Sequence, residues 1–375
     1  MVYNESKYNK NWKTMKLSDL GEFARGKSTH RPRNDKNLFE GGGYPLVQTG
    51  EIKEANLYIT HHTQEYGEFG LQQSKLWDAE TLCITIAANI AETALLAYPM
   101  CFPDSVVGFK AYKEVSSEKF MYYVFDFIRN SIQNAASGST QDNINIDYLT
   151  SLDFKVPDKI AQDKMVELLS AIDEKILMNS KINDNLEQQA YLIFENMMAK
   201  AEAHRLKGKY TEAKFLASVI TGKEDANFSV PNGKYKFFTC SNKPLYCNSY
   251  AFHTSSILIA GNGDFNVKHY SGKFNAYQRT YVLTPKKEYF ALLYLASLYR
   301  INSFKSSSSG SIVKFITKSD VENIPVFIPD DTAYLDELNK LLLAQEQNTL
   351  ENELLVQLRD WLLPMLMNGQ ATISD

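Results

Sequence analysis

Cysteine is scarce in this chain of 375 residues: Cys83, Cys101, Cys240 and Cys247 are the only four, and none forms a CxxC. That spacing excludes a disulfide scaffold or a cysteine-ligated zinc ribbon and predicts reduced thiols in a cytoplasmic protein. Long apolar runs are also missing. The best candidate, 82–102, is interrupted by Asn89, Glu92 and Pro99, short of the roughly 18 residues a membrane helix needs. The opening MVYNESKYNKNWK has no apolar core, so neither a signal peptide nor a membrane partner is expected. Catalytic constellations are lacking too. The six histidines show no HExxH, and adjacent His61 and His62 read as loop residues. There is no GxSxG, no DPPY-like or NPPY-like motif and no dinucleotide fingerprint. No catalytic residue and no metal site is predicted, and binding is the expected role.

What is present is a duplication. A 30-residue stretch beginning at Asn130 recurs 172 positions later, with Asn130/Asn302, Ser137/Ser309, Gly138/Gly310, Ser139/Ser311, Ile144/Ile316, Pro157/Pro329 and Asp158/Asp330 among its identical pairs. A period this long, seen twice, predicts two homologous domains rather than a solenoid. Each block runs through short β-rich segments (44–49, 82–86 and 105–112; then 235–240, 256–261 and 280–284) into one apolar helix, 119–132 or 289–301. Each then reaches a Ser/Gly loop and an apolar strand ending in proline. Asp158 and Asp330 are candidate N-caps of two long helices. Along the first, Met165, Leu169, Ile172, Ile176, Asn179, Asn183, Leu186, Ala190, Ile193 and Met197 trace a heptad seam. Shifted by 169, the second gives Tyr334, Leu338, Leu341, Gln345, Asn348, Asn352, Leu355, Arg359, Leu362 and Leu366. The fold class expected is α+β. Two mixed α/β domains are joined by two long antiparallel helices in an intramolecular coiled coil with a pseudo-two-fold. The boundaries are 1–158 and 206–329 for the domains, 159–205 and 330–370 for the helices. A helix over 160–205 extends roughly 68 Å at 1.5 Å per residue, close to two turns of B-DNA at about 34 Å each. Such a helix pair can serve as a ruler.

The net charge of −4 hides an asymmetry: residues 206–329 carry 16 Lys and Arg against 7 Asp and Glu, whereas residues 330–375 carry 2 against 9. A polyanion suits the former and a protein partner the latter. Arg25, Lys27, His30, Arg31, Arg33 and Lys36 gather positive charge in a loop with little core to build. The Ser/Gly loops 137–141 and 306–314 offer hydroxyl and amide donors to phosphates and base edges. One match points elsewhere. Gly21, Gly26, Lys27 and Ser28 fit G-x-x-x-x-G-K-[ST], but the expected flanking strand and helix are missing, and Pro32 blocks a helix from Ser28. A P-loop enzyme, or a coiled-coil scaffold with protein-binding ends, is therefore a secondary reading.

LSDLGEFARGKST (17–29), GGGYPLVQTGEI (41–52), GSTQDNI (138–144), LEQQAYLIFENMM (186–198) and RDWLLPMLMNGQ (359–370) together resemble the specificity (S) subunits of type I restriction–modification systems, over nearly the whole chain. The resemblance implies a non-catalytic subunit whose two target-recognition domains each read half of a bipartite, asymmetric double-stranded DNA target. It also implies helices that set the spacer and dock two methyltransferase (M) subunits, with restriction (R) subunits joining for cleavage. No cofactor is expected in this chain; S-adenosylmethionine, ATP and Mg belong to the partners. The candidate DNA-contacting residues are Arg25, Lys27, Ser28, Thr29, His30, Arg31, Arg33, Gln48, Thr49, Asn89, Ser139, Thr140 and Gln141 in the first block. In the second they are Lys223, Lys234, Lys243, Asn262, Lys268, His269, Lys273, Arg279, Ser309, Ser311 and Lys314. Lys and Arg suit phosphates, and loop Gln and Asn suit bases. The candidate docking residues are Ile172, Ile176, Asn179, Asn183, Leu186, Phe194, Asn348, Leu355 and Trp361. The first block departs from a DNA-binding composition: residues 1–159 hold 17 basic against 20 acidic side chains, so its cations must collect on one face.

Overall fold

The computed structural model describes residues 2–137, 144–263, 265–307 and 315–373. The chain divides into two compact units, Met1–Asn179 with Leu350–Asp375, and Ser180–Thr349. Both are mixed helix and sheet.

In the first unit a five-stranded sheet runs in the order Gly21–Arg25, Val106–Ala111, Leu82–Thr85, Thr93–Leu96, Tyr58–Ile59. Its central strands are buried along their whole length, as β-branched and aliphatic runs covered on both faces should be. One face packs on the helix Glu118–Ser137 through Phe120, Tyr123, Val124 and Ile128. A four-stranded sheet (Gln64–Tyr66, Tyr44–Leu46, Met100–Cys101, Leu76–Trp77) lies beside it. The second unit has one six-stranded sheet: Ala217–Thr221, Thr280–Pro285, Phe252–Ala260, Val267–Ala276, Tyr235–Phe238, Leu245–Cys247. It packs on the helix Phe290–Ser307.

The duplication is visible in individual hydrogen bonds. Leu17 N donates to Leu152 O, and Ala213 N to Ile324 O; Tyr112 N donates to Leu20 O, and Lys286 N to Leu216 O. Strand Lys13–Lys16 pairs with Asp153–Val156 as Gly208–Glu212 pairs with Pro325–Pro329. Backbone ladders depend little on side-chain identity, so the frame survives where sequence identity has faded.

The long helices run Lys159–Glu202 and Ala333–Met367. Met165 and Leu169 enter the first unit's core, whereas Ala190, Phe194, Met197 and Ala201 enter the second's. The second helix reverses this, with Leu335, Leu338 and Leu342 in the second core and Leu363, Leu366 and Met367 in the first. Within each unit the helix halves run antiparallel and carry an asparagine pair. Asn179 donates to Asn352 Oδ1 at 2.9 Å in the first, and Asn348 donates to Asn183 Oδ1 at 2.9 Å in the second. The seam asparagines thus satisfy each other, which fixes register where an apolar pair would tolerate slippage.

Several local expectations need correction. The apolar helices continue to Ser137 and Ser307, past the predicted ends at 132 and 301. Residues 44–49 are not one strand: Gln48 and Glu51 form a capping box that starts a helix at Thr49. Asp158 caps its helix by accepting from Ala161 N at 2.8 Å. Asp330 does not, because its helix begins only at Ala333, and Asp331 accepts from Ala333 N instead. The N-terminal segment has a role that composition did not show: Asn4 donates to Met367 O and Ser6 to Asn368 O, closing carbonyls left open at the end of the second long helix.

Candidate nucleic-acid interface

One end of each main sheet is built to the same plan. The edge strands Gly21–Arg25 and Ala217–Thr221 both exit into Gly-Lys, at Gly26–Lys27 and Gly222–Lys223. Gly26 N donates to Val106 O at 2.8 Å and Gly222 N to Thr280 O at 3.0 Å. A Cβ on Gly26 would stand 2.2 Å from Pro103 O, and one on Gly222 2.1 Å from Ala276 O. Only glycine permits this approach. The following lysine is exposed in both units.

Strand register brings two further turns to this end. Arg25 is opposite Val107, which is opposite Ile84; Thr221 is opposite Tyr281, which is opposite Ile259. The turn entering the neighbouring strand is therefore Pro103–Ser105 in the first unit and Tyr277–Arg279 in the second. The turn leaving the central strand holds Asn89 or Asn262. Around Asn89 the backbone is left-handed at Ala88 (φ 45°), Asn89 (φ 46°) and Ala91 (φ 61°), a strained arrangement of the kind found at binding loops. Thr85 Oγ1 accepts from Glu92 N and donates to Asn89 O, holding the turn. Ile144 N donates to Ile86 O and Ile316 N to Gly261 O, so the chain returns here immediately after each Ser/Gly loop. Ser139, Thr140, Gln141, Ser309, Ser311 and Lys314 lie outside the described residues.

In the first unit the basic loop folds onto this end. Thr29 donates to Gln73 Oε1 at 2.8 Å, and Ser74 to Lys27 O at 2.9 Å. Arg33 meets Asp104 at 2.6 Å, while Arg31 donates to Ser28 O at 2.6 Å and reaches Asp104 at 3.6 Å. His30 binds Asp35 at 2.8 Å. The Asn37 N–H and His30 together hold the Asp35 carboxyl below its usual range. Arg25, Lys27 and Lys36 are exposed, and Ser28 is half-buried. Gln48 is exposed and donates to Gln64 Oε1 at 3.2 Å, while Thr49 is taken into a helix.

The second unit separates its candidates. Lys223, Asn262 and Arg279 share the sheet end just described, and exposed Lys243 lies in the segment packed beside it. Lys268 is nearby, but its ammonium is bound to the Ser241 and Thr239 carbonyls and Asn266 Oδ1. Lys234 and Lys273 stand at the far end of strand Phe252–Ala260, over the rings of Tyr235 and Tyr250. His269 turns inward, 3.3 Å from Glu346 and edge-on to Tyr294. Lys234, Lys273 and His269 are therefore not gathered with the others, and Lys268 is at this end with its ammonium engaged. Alternation along a strand fixes a face but not an end, so the sequence did not separate them.

The P-loop match dissolves in the structure. Gly21–Arg25 is itself an edge strand, and the next helical turn is the short Lys36–Leu38, so no helix N-terminus faces Gly26. The docking candidates all lie on the two long helices. Ile172, Ile176 and Asn179 are buried, and Asn183, Leu186, Asn348 and Leu355 half-buried, along the intramolecular seam, while Phe194 is buried in the second unit's core against Tyr299. The seam closes on its own partner helix and leaves Asn183, Leu186, Asn348 and Leu355 partly exposed. Trp361 is 57% exposed and joins Leu350, Leu354 and Leu358 on one outward stripe. Of that stripe only Trp361 stood among the docking candidates; the heptad count passed over Leu350, Leu354 and Leu358.

Two copies of one α+β frame, each with a polar and basic sheet end, are threaded on two shared helices. The chain matches the family described as the type I restriction modification DNA specificity domain twice, over residues 9–188 and 199–355. It belongs to that family. It is 40% identical over 172 residues to the EcoDI specificity subunit of Escherichia coli, an alignment covering 44% of this chain and 38% of that protein's length. It is 22% identical over 416 residues to the MjaIX specificity subunit of Methanocaldococcus jannaschii, covering 98% of this chain and 95% of that one. Its fold matches the crystal structure of the type I S subunit from M. genitalium with a TM-score of 0.62 at 16% identity, covering both chains completely. No helix among the described residues is long and apolar enough to cross a membrane.

Proposed function

We propose that this chain is the DNA-reading, non-catalytic subunit of a type I restriction–modification complex, with each unit binding one half of a bipartite target. The observation that carries the reading is the recurrence of one sheet end, with its forced glycine and exposed lysine, on a frame whose neighbouring loops differ. A repeated frame supplies the same approach to the phosphates; differing loops supply different base readout. The long helices serve as the spacer. The exposed stripe Leu350, Leu354, Leu358 and Trp361 is offered to methyltransferase subunits. S-adenosylmethionine, ATP and Mg would reside on those subunits and on restriction subunits, in the cytoplasm.

Footprinting of the reconstituted complex should show two protected half-sites separated by an unprotected or weakly protected spacer. One continuous footprint, or no DNA binding with methyltransferase present, contradicts the reading. Removing seven residues from each long helix keeps the seam in phase and shortens each by about 10 Å. The spacer should then contract by roughly three base pairs at 3.4 Å each. An unchanged spacer removes the ruler while leaving the half-sites intact.

A further inference from the structure

The turn that enters the second strand of each sheet differs most where the frame differs least. In the second unit, Tyr277–Thr280 is pinned by four backbone hydrogen bonds: Tyr277 N to Phe238 O, Gln278 N to Glu224 O, Thr280 N to Tyr277 O, and Gly261 N to Arg279 O, all between 2.8 and 2.9 Å. The Gln278 amide is occupied by Asp225 Oδ1 at 2.7 Å. Arg279 is exposed, and among the described residues no carboxylate or carbonyl holds its guanidinium. It borders a cleft of about 230 Å³ lined also by Tyr281, Phe315 and Lys318, with no acidic residue in its lining. A rigid backbone with an uncommitted arginine at its tip is a preorganised reader.

The equivalent turn of the first unit is Pro103–Asp104–Ser105, with Ser105 where the second unit has Arg279. Its guanidinium comes from another segment: Arg33, in the basic loop, is held by Asp104 at 2.6 Å with both side chains still substantially exposed. A carboxylate behind an arginine fixes the planar fork and leaves its other donors facing outward. Arg31 does not fill this role, because its own donors turn back to the Ser28 and His30 carbonyls.

We infer that this turn is the base-reading element of each unit, Arg279 contacting a guanine in one half-site and Arg33, oriented by Asp104, a guanine in the other. Arginine presents two parallel donors to guanine O6 and N7 in the major groove, the commonest specific protein–DNA contact. This rests on the DNA-reading function proposed above. It differs from the expectation that loop amides read bases while arginines bind phosphate; at this turn the amide of Gln278 is engaged by Asp225 and the arginine is not.

The test is the methylated motif, read by sequencing DNA from cells that carry the full chain with its methyltransferase partner. Arg279→Ala should relax one guanine position in one half-site, lowering discrimination there by roughly ten- to a hundredfold. The other half and the spacer should stay unchanged. Arg33→Ala should relax a guanine in the opposite half, and Asp104→Asn should weaken that same position less. Uniform loss of methylation at every sequence, with the motif unaltered, makes these arginines phosphate contacts or structural supports and overturns the inference. So does a motif without guanine at the affected positions. If the wild-type chain itself yields no bipartite motif, the underlying function is what has failed.

Discussion

The two units share a backbone frame and differ at the centre of their helix packing. In the first, Asp173 on the first long helix is 3% exposed and accepts from Tyr123 Oη at 2.7 Å and Arg359 Nη1 at 2.9 Å. At the positions related by 169 or 172 residues, the second unit has Leu342, Ala190 and Leu295, all buried and apolar. One copy joins its helices with an ion pair and a phenol, the other with hydrocarbon. An apolar centre stabilises by area; a buried ion pair offsets its own desolvation only when every partner is present. Both solutions support the same ladders, so the frame does not depend on what fills this position.

The largest effect should come from breaking that centre in the first unit alone. Arg359→Ala leaves the Asp173 carboxylate buried beside a phenol and no cation, and should cost about 3–5 kcal/mol in denaturant unfolding. Replacing all three with the second unit's residues (Asp173→Leu, Arg359→Ala, Tyr123→Leu) should recover most of that loss. A cost for Arg359→Ala no larger than that of an exposed ion pair, about 1 kcal/mol or less, would show the comparison to be superficial. On the hydrocarbon side, Leu342→Ala should cost about 2–5 kcal/mol through the cavity it leaves, and no nearby polar substitution should restore it.

A smaller effect separates the units by pH. Burial raises the Asp126 carboxyl above its usual value, against the opposing pull of Arg129 and Arg359. A carboxyl with a raised folded pKa binds more protons in the native than in the unfolded state. Its contribution is therefore present below the unfolded value, near 3.9, and is lost as pH rises through the folded one. Asp126→Asn should flatten that stretch of the stability–pH curve, and an unchanged slope would remove Asp126 as its origin.

Much of the architecture was legible because it is written in spacings: the recurrence at 172, the paired seams at 169 and their asparagines. Helix ends were less so, because Ser137 and Ser307 carry composition typical of loops. Asp330 resembled Asp158 in sequence but does not cap, because the second long helix begins three residues after it, at Ala333. The candidate site was half legible. Charge in the loop 25–36 was visible; the Gly-Lys exit shared by the two edge strands was not, because Gly26–Lys27 read as part of a P-loop match and Gly222–Lys223 lacks its spacing. Which cations remain outward was not, since Lys268 and His269 are engaged by residues distant in sequence. Nothing in the spacing linked Arg33 to Asp104, 71 residues away.

The central claim is that the two units read DNA independently on one frame, and an exchange tests it most directly. The ladders Lys13–Val156 and Lys209–Ile328 occupy equivalent registers. Residues 13–156 can therefore replace 209–328 at matching junctions, giving a chain with two copies of the first recognition segment. Sequencing of the methylated motif in cells carrying this chain and the methyltransferase should show the first half-site twice, with the second absent. Retention of the original second half-site in that motif would contradict the account.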